Sequence, residues 1–105
     1  MSNPQVVVGS FTGTGAAQNI VIGFQPDHVE ILDATNFGIL DVWFRGMAAG
    51  TSVQSSGALR AAPGGITAYA GSSAGAGEGF TVGAALSVSG ATMRFKATRS
   101  GPGAN

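Results

Sequence analysis

The sequence predicts an all-β domain, either an antiparallel β-sandwich or a small, jelly-roll-like β-barrel of about seven or eight short strands. Apolar and polar residues alternate in short runs with a period of two, and clusters of Gly, Pro, Ser and Asn separate these runs at roughly eight- to twelve-residue intervals. No stretch of useful length shows the period of an amphipathic helix. The 105 residues suffice for a single domain with a core of moderate size.

Four strands are predicted in the first part of the chain, at 5–11, 18–24, 28–32 and 37–45. Turn-forming residues separate them, among them Pro26, which removes a backbone donor. In the third strand, Val29 and Ile31 are predicted to face the core. In the fourth strand, the predicted core face is Leu40, Val42 and Phe44, and the opposite face is Ile39, Asp41, Trp43 and Arg45.

Three further strands are predicted at 66–70, 80–83 and 91–99, with a short alternating segment at 86–88. Residues 51–65 are predicted to be irregular. The termini at 1–5 and 100–105 are predicted to be flexible, as is the glycine-rich loop at 71–79, which we expect to order on contact with a neighbour. The last strand alternates most clearly, with Met93, Phe95 and Ala97 on one face and Arg94, Lys96 and Thr98 on the other.

The surface of this domain must be unusually poor in charge. The chain contains only five Lys or Arg and five Asp or Glu, but eighteen glycines, whereas an ordinary soluble domain has about a quarter charged residues. A surface of Ser, Thr, Gly, Ala and Asn costs little to desolvate, because few ions must lose their water. Such a surface suits a protein that packs against copies of itself or against a larger assembly.

The composition also argues against several classes of function. A formal net charge of zero provides no basic excess for nucleic-acid phosphates. The absence of cysteine removes disulfides and thiolate chemistry. The first residues lack the basic and apolar regions of a secretory signal, and no apolar run approaches the ~20 residues of a membrane helix. We therefore expect a protein that is made in a cytoplasm and binds neither membranes nor nucleic acids.

No catalytic or metal-binding motif accompanies the polar residues, so we predict neither enzymatic activity nor a cofactor. His28 is the only histidine and is interpreted as a surface or interface residue. The carboxylates between residues 27 and 41 are interpreted as solvated or salt-bridged surface groups. The glycine-rich stretches lack the lysine of a phosphate-binding loop.

The candidate functional residues are therefore interface residues. Trp43 and Arg45 share one face of a predicted strand, and Trp and Arg are favoured at the centres of interfaces. The alternative places both Trp43 and Phe44 in the core, with Arg45 covering an edge. The basic face of the last strand suits an acidic partner surface, although a solvated face is the other interpretation. The candidate interface set is Trp43, Arg45, Arg94, Lys96, Arg99, Asp27 and Glu30.

The few charges are sorted along the chain. Residues 1–44 carry four carboxylates and no Lys or Arg, a formal charge of −4, and residues 45–105 carry five cations and one carboxylate, a formal charge of +4. Acidic early strands can meet basic late strands within one chain or between neighbouring copies. We favour the second arrangement as a hypothesis, in which a few charges set the register of an assembly.

Two segments resemble small structural proteins of tailed bacteriophages. Residues 13–31 contain a Gly-Phe-x-Pro-Asp-x-Val pattern at 23–29, similar to segments of tail-fibre and collar proteins as well. Residues 42–51 contain a Trp-Phe-x-Gly-Met-Ala-x-Gly pattern that resembles small phage capsid-associated proteins, and residues 80–83 fit the same pattern. These segments are structural, so the resemblance transfers no functional residue.

The resemblance implies a homotrimeric capsid decoration, or cement, protein on the outside of a phage head, in contact with the major capsid protein. It would stabilise the shell by binding only the assembled form. One alternative is a tail-fibre, collar or receptor-binding module, although the chain has no repetitive shaft. A second alternative is a small hydrolase or carbohydrate-binding domain, for which Trp43 and Tyr69 are the candidate aromatics.

Overall fold

The chain folds into two antiparallel sheets that pack face to face as a β-sandwich, which confirms the predicted fold class. The structure is a computed structural model and describes residues 5–62, 64–71 and 77–99. Most of the segments predicted to be flexible, at 1–5, 71–79 and 100–105, lie outside the described residues. Their flexibility therefore stays a prediction.

The described residues include nine strands and one short 3-10 turn, joined by loops. They are β1 (Gln5–Thr12), β2 (Gln18–Val21), β3 (His28–Asp33), β4 (Leu40–Phe44), β5 (Ser52–Gln54), β6 (Leu59–Arg60), β7 (Ile66–Tyr69), β8 (Gly79–Val82), the turn at Ala84–Leu86 and β9 (Thr92–Arg99). Six strands form a large sheet in the order β1-β9-β3-β4-β5-β6, and three form a small sheet in the order β2-β8-β7. No helix in this part of the chain is long and apolar enough to cross a membrane.

The hydrophobic core lies between the two sheets. It consists of Val29, Ile31, Trp43, Met93, Phe95 and Ala97 from the large sheet, Ile66, Phe80 and Val82 from the small sheet, and Leu86 and Ala91 from the connection before β9. The rings of Phe80 and Phe95 meet edge to face across the core, with 5.3 Å between their centroids. The predicted core faces of β3 and β9 are confirmed: Val29 and Ile31 in β3 and Met93, Phe95 and Ala97 in β9 are buried.

The predicted orientation of β4 is wrong. Trp43 is only 4% exposed in the core, whereas Phe44 is 56% exposed on the other side of the sheet. Trp43 stands directly opposite Val29 in β3, so the two side chains must share a face. The three apolar residues Leu40, Val42 and Phe44 therefore point away from the core, and Trp43 is unavailable as an exposed interface anchor.

The segment at 51–65 is more regular than predicted. It contains the short hairpin of β5 and β6, which extends the large sheet at one edge. The hairpin turn is closed by hydrogen bonds between the backbones of Gln54, Gly57 and Ala58. Strands of three and two residues are too short to show alternation, which explains why nine strands are found where seven or eight were predicted. The alternating segment at 86–88 begins at the last residue of the 3-10 turn and is not a strand.

Candidate assembly surface

The outer face of the large sheet is exposed, and half of its strand positions carry apolar side chains. Because side chains alternate along each strand, the neighbours of the core residues point away from the small sheet. We call this surface the assembly face. Its apolar residues are Val6, Val8, Leu32, Leu40, Val42, Phe44, Val53 and Leu59, and its ionisable residues are His28, Glu30, Arg94 and Lys96.

The outer face of the small sheet is different in character. Apart from the exposed Val21, it carries polar side chains, namely Asn19, Thr67, Tyr69 and Thr81. The hydroxyl of Thr81 donates a hydrogen bond of 2.7 Å to the Oδ1 atom of Asn19. A solvated face of an antiparallel sheet is normally polar, as this one is. The contrast makes the assembly face, and not the outer face of the small sheet, the candidate surface for contact with another protein.

Strand register arranges the assembly face in rows that cross the sheet. The central row runs through all six strands and consists of Val8, Lys96, Glu30, Val42, Val53 and Leu59. Two charges therefore sit in the middle of an otherwise apolar row. The row on one side contains Val6, Thr98, His28 and Phe44, and the row on the other contains Ser10, Arg94, Leu32 and Leu40.

A shallow groove of about 190 Å³ lies on this face, lined by Glu30, Leu32, Leu40, Arg94, Phe95 and Lys96. A cavity of roughly 150 Å³ holds benzene, so the groove can take one apolar or aromatic side chain of a partner. Within the described residues, neither Arg94 nor Lys96 forms a salt bridge.

The ionisable residues beside the groove have contacts of their own. The Nε2 atom of His28 lies 3.4 Å from Oε2 of Glu30. The imidazole ring also packs against Phe44, with 4.6 Å between the ring centroids. These contacts orient Glu30 beside the apolar rows, where a carboxylate limits which partner surfaces fit.

The structure separates the seven predicted interface residues into groups. Glu30, Arg94 and Lys96 lie together on the assembly face. Asp27 and Arg45 form an ion pair of 2.9 Å next to the start of β3. Of the remaining two residues, Trp43 lies in the core, and the guanidinium of Arg99 lies 6.0 Å from the ring centroid of Phe24.

Two ion pairs join the acidic first part of the chain to the basic second part. One joins the half-buried Asp27 to the exposed Arg45, and the other joins the buried Asp41 to Arg60. Pairing within one chain, the alternative we did not favour, is therefore realised for these four residues. Pairing between copies stays a prediction for the cations of β9.

Asp41 forms a buried cluster that sequence reasoning missed. Its carboxylate is fully buried and accepts hydrogen bonds from Ser52 Oγ at 2.6 Å, Arg60 Nε at 2.7 Å and Arg60 Nη2 at 3.1 Å. Hydrogen bonding to Asp41 raises the pKa of Arg60, partial burial opposes that shift, and the charge of Asp41 adds to it. The prediction that Asp41 is a surface carboxylate is wrong, because β4 turns this residue inward towards β5 and β6.

Asp33 closes the turn between β3 and β4. Its carboxylate accepts hydrogen bonds from the backbone amides of Asn36, at 2.8 Å, and Thr35, at 2.9 Å, and from the side-chain amide of Asn36 at 3.2 Å. The backbone amide of Asn36 is the main cause of a lowered pKa for Asp33; burial opposes this shift, while the Thr35 amide and the Asn36 side chain reinforce it. Asp33, the last residue of β3, is buried and holds the turn that follows, so its interpretation as a surface group is wrong.

Lowering the pH should therefore weaken the fold through Asp33. A carboxyl group with a lowered folded-state pKa stabilises the fold above its unfolded pKa of 3.8 and loses that contribution as the pH falls further. We expect Asp33→Asn to show a smaller loss of stability than the unmodified protein between about pH 5 and about pH 2. Urea midpoints measured across this range test the expectation, and parallel profiles for the two proteins would contradict it.

Phe37 is an exposed aromatic residue at the tip of the same turn. Its φ of 58° lies in the left-handed region, and its side chain is 73% exposed. Left-handed backbone costs a residue with a Cβ atom about 1–2 kcal/mol. We expect Phe37→Gly to stabilise the fold by roughly 0.5–1 kcal/mol, measured by urea denaturation. The matched variant Phe37→Ala keeps the Cβ atom and should bring no such gain; equal gains would show that the ring, and not the backbone, is responsible.

Within the described residues, no group of three or more His, Asp or Glu side chains is placed to hold a metal ion. Comparison of the chain with protein-family models, curated protein sequences and solved structures found no match.

Proposed function

We propose that this protein is a capsid decoration protein of a tailed bacteriophage, which binds the outside of the assembled head and stabilises it. The observation that carries the proposal is the group of exposed apolar side chains on the outer face of the large sheet. The outer face of the small sheet, on the opposite side of the sandwich, is polar. The resemblance of residues 13–31 and 42–51 to phage structural proteins supplies the context. In this arrangement the assembly face contacts the major capsid protein, and the small sheet faces solvent.

The proposed mechanism is thermodynamic. Each square ångström of apolar surface removed from water contributes roughly 25 cal/mol, and the assembly face has few ions to desolvate. A protein that binds the assembled shell but not the free subunits stabilises the shell by mass action. Repetition over many symmetric copies multiplies the effect. Glu30, Arg94 and Lys96 set the register of the contact by their charges.

A binding experiment on phage heads tests this function. Purified protein is added to expanded heads that lack it, and both the number of bound copies and the temperature of head disruption are measured. We expect saturable binding and a higher disruption temperature. Labelling of intact particles provides the location: a signal confined to the tail would contradict the capsid proposal and favour the tail-fibre or collar module.

Two matched variants test the role of the assembly face. Val53→Lys places a charge on the assembly face, and Val21→Lys places the same charge on the outer face of the small sheet; both valines are exposed strand residues, at 38% and 58%. Burying an unpaired ammonium group is costly, so only Val53→Lys should abolish head binding. Unchanged binding by Val53→Lys, or equal losses by both variants, would exclude the assembly face as the contact surface.

A further inference from the structure

The outer edge of β1 is unpaired in the part of the chain that the structure describes. Among the residues that the structure describes, β1 pairs with β9 and with no other strand. It is eight residues long, whereas β6 at the opposite edge of the large sheet has two residues, and the edge strands β2 and β7 of the small sheet have four each. Very short edge strands are one device by which proteins avoid pairing between molecules. β1 lacks this device.

Hydrogen bonds show which backbone groups of β1 point outward. The amide of Gly13 donates to the carbonyl of Ala91, on the side of β9, and the carbonyl of Thr12 accepts from the side chain of Gln18 on the other side. The register of β1 and β9 is continuous from Gln5 to Thr12. Since the direction of the backbone groups alternates along a strand, those of Val6, Val8 and Ser10 point away from β9.

The side chains of β1 also leave this edge open. The strand, with sequence QVVVGSFT, contains neither a charged residue nor a proline. Edge charges, especially lysine, and edge prolines are the usual means of preventing strand addition. Val6 and Val8 are 56% and 67% exposed, so the apolar assembly face continues to this edge. A partner strand here would find open backbone groups beside exposed valines.

We infer that β1 pairs with β1 of a second copy, in antiparallel orientation about a two-fold axis that passes beside Val8. Val8 then faces Val8 of the second copy, and each Val6 faces the Ser10 of the other, so the outward backbone groups of these three residues meet partners. An antiparallel strand pair is self-complementary, as a two-fold interface requires. No like charges meet, because the strand is uncharged.

The pairing joins two large sheets into one continuous sheet and places the two assembly faces side by side. This dimer differs from the trimer that the phage resemblance implies. The dimer forms without a phage head, so its formation and the binding to heads are tested separately. Either proposal can be contradicted while the other holds.

Two variants at one position test whether the main chain makes the contact. Val8→Pro removes an outward amide in each copy but leaves the hydrogen bonds to β9 intact. Val8→Thr keeps that amide and changes the side chain alone. We expect the unmodified protein and Val8→Thr to be dimers by light scattering coupled to size exclusion. Val8→Pro should raise the dimer dissociation constant by about tenfold or more, because two hydrogen bonds are lost together.

Hydrogen exchange of the unmodified protein provides a test that does not depend on the folding of a variant. The amides of Val6, Val8 and Ser10 should gain protection as protein concentration rises, whereas those of Val7 and Gly9, which point to β9, should be protected throughout. A monomer at all concentrations, a trimer with these three amides unprotected, or equal dimerisation by Val8→Pro would overturn the inference. Equal loss of the dimer in Val8→Thr would overturn it too, because side-chain packing would then hold the copies together.

Discussion

Replacement of Arg60 by alanine is expected to destabilise the fold by about 3 kcal/mol or more. The variant leaves the carboxylate of Asp41 fully buried with Ser52 as its remaining side-chain partner. A buried charge without its counter-ion commonly costs ~3–5 kcal/mol, and the lower end applies because the Arg60 side chain is 19% exposed. Domains of this size have only about 5–15 kcal/mol of stability in total, so urea denaturation should show a greatly lowered midpoint.

Two further variants test whether the uncompensated buried charge of Asp41 causes the loss of stability in Arg60→Ala. Arg45→Ala breaks an ion pair whose arginine side chain is 53% exposed, and we expect a much smaller loss, because water solvates the carboxylate that remains. The double variant Asp41→Leu with Arg60→Met removes both charges and should recover most of the stability lost in Arg60→Ala. If the double variant is no more stable than Arg60→Ala, an uncompensated charge is not the cause of the loss.

Replacement of Gly79 by alanine is expected to separate β2 from β8. An added Cβ atom at Gly79 would lie 1.9 Å from the carbonyl oxygen of Ile20 and 2.9 Å from its carbonyl carbon. These are backbone atoms of the paired strand, so rotation of a side chain cannot relieve the overlap. We expect a loss at or above the upper end of the ~1–3 kcal/mol typical of overpacking, measured by thermal or urea unfolding.

Gly38 provides the matched control for this substitution. An added Cβ atom there meets nothing within 4 Å, and its φ is not in the left-handed region. Gly38→Ala should therefore leave stability unchanged or raise it slightly, because alanine restricts the unfolded chain. Similar losses in Gly38→Ala and Gly79→Ala would show that close strand approach is not the determining factor.

The strands that could be predicted from the sequence share one property. From His28 to Ile31 in β3 and from Thr92 to Thr98 in β9, apolar residues alternate with polar ones, so a single choice of face satisfies these positions, and the structure adopts it. The four residues of β9 that reach the assembly face, including Arg94 and Lys96, follow from the same alternation. For this reason part of the candidate surface was predictable.

The strand β4 could not be oriented in this way. Both of its faces contain large apolar residues, Trp43 on one and Phe44 on the other, and the face with Trp43 also carries Asp41. Local sequence favours burial of the more uniformly apolar face. The fold reverses that preference because Ser52 and Arg60, eleven and nineteen residues away, supply the hydrogen bonds and the charge that a buried carboxylate needs.

The sequence by itself determines that this protein is a charge-poor, all-β domain with an uncharged first strand, since composition and two-residue alternation are local properties. The tertiary structure decides which apolar residues remain outside. Strand register turns Leu40, Val42 and Phe44 outward with Val53 and Leu59, and strand order leaves β1 at an edge. Both are long-range properties, because they depend on pairing between segments far apart in the chain. The assembly face and the open edge of β1, on which the proposed functions depend, are therefore visible only in the folded molecule.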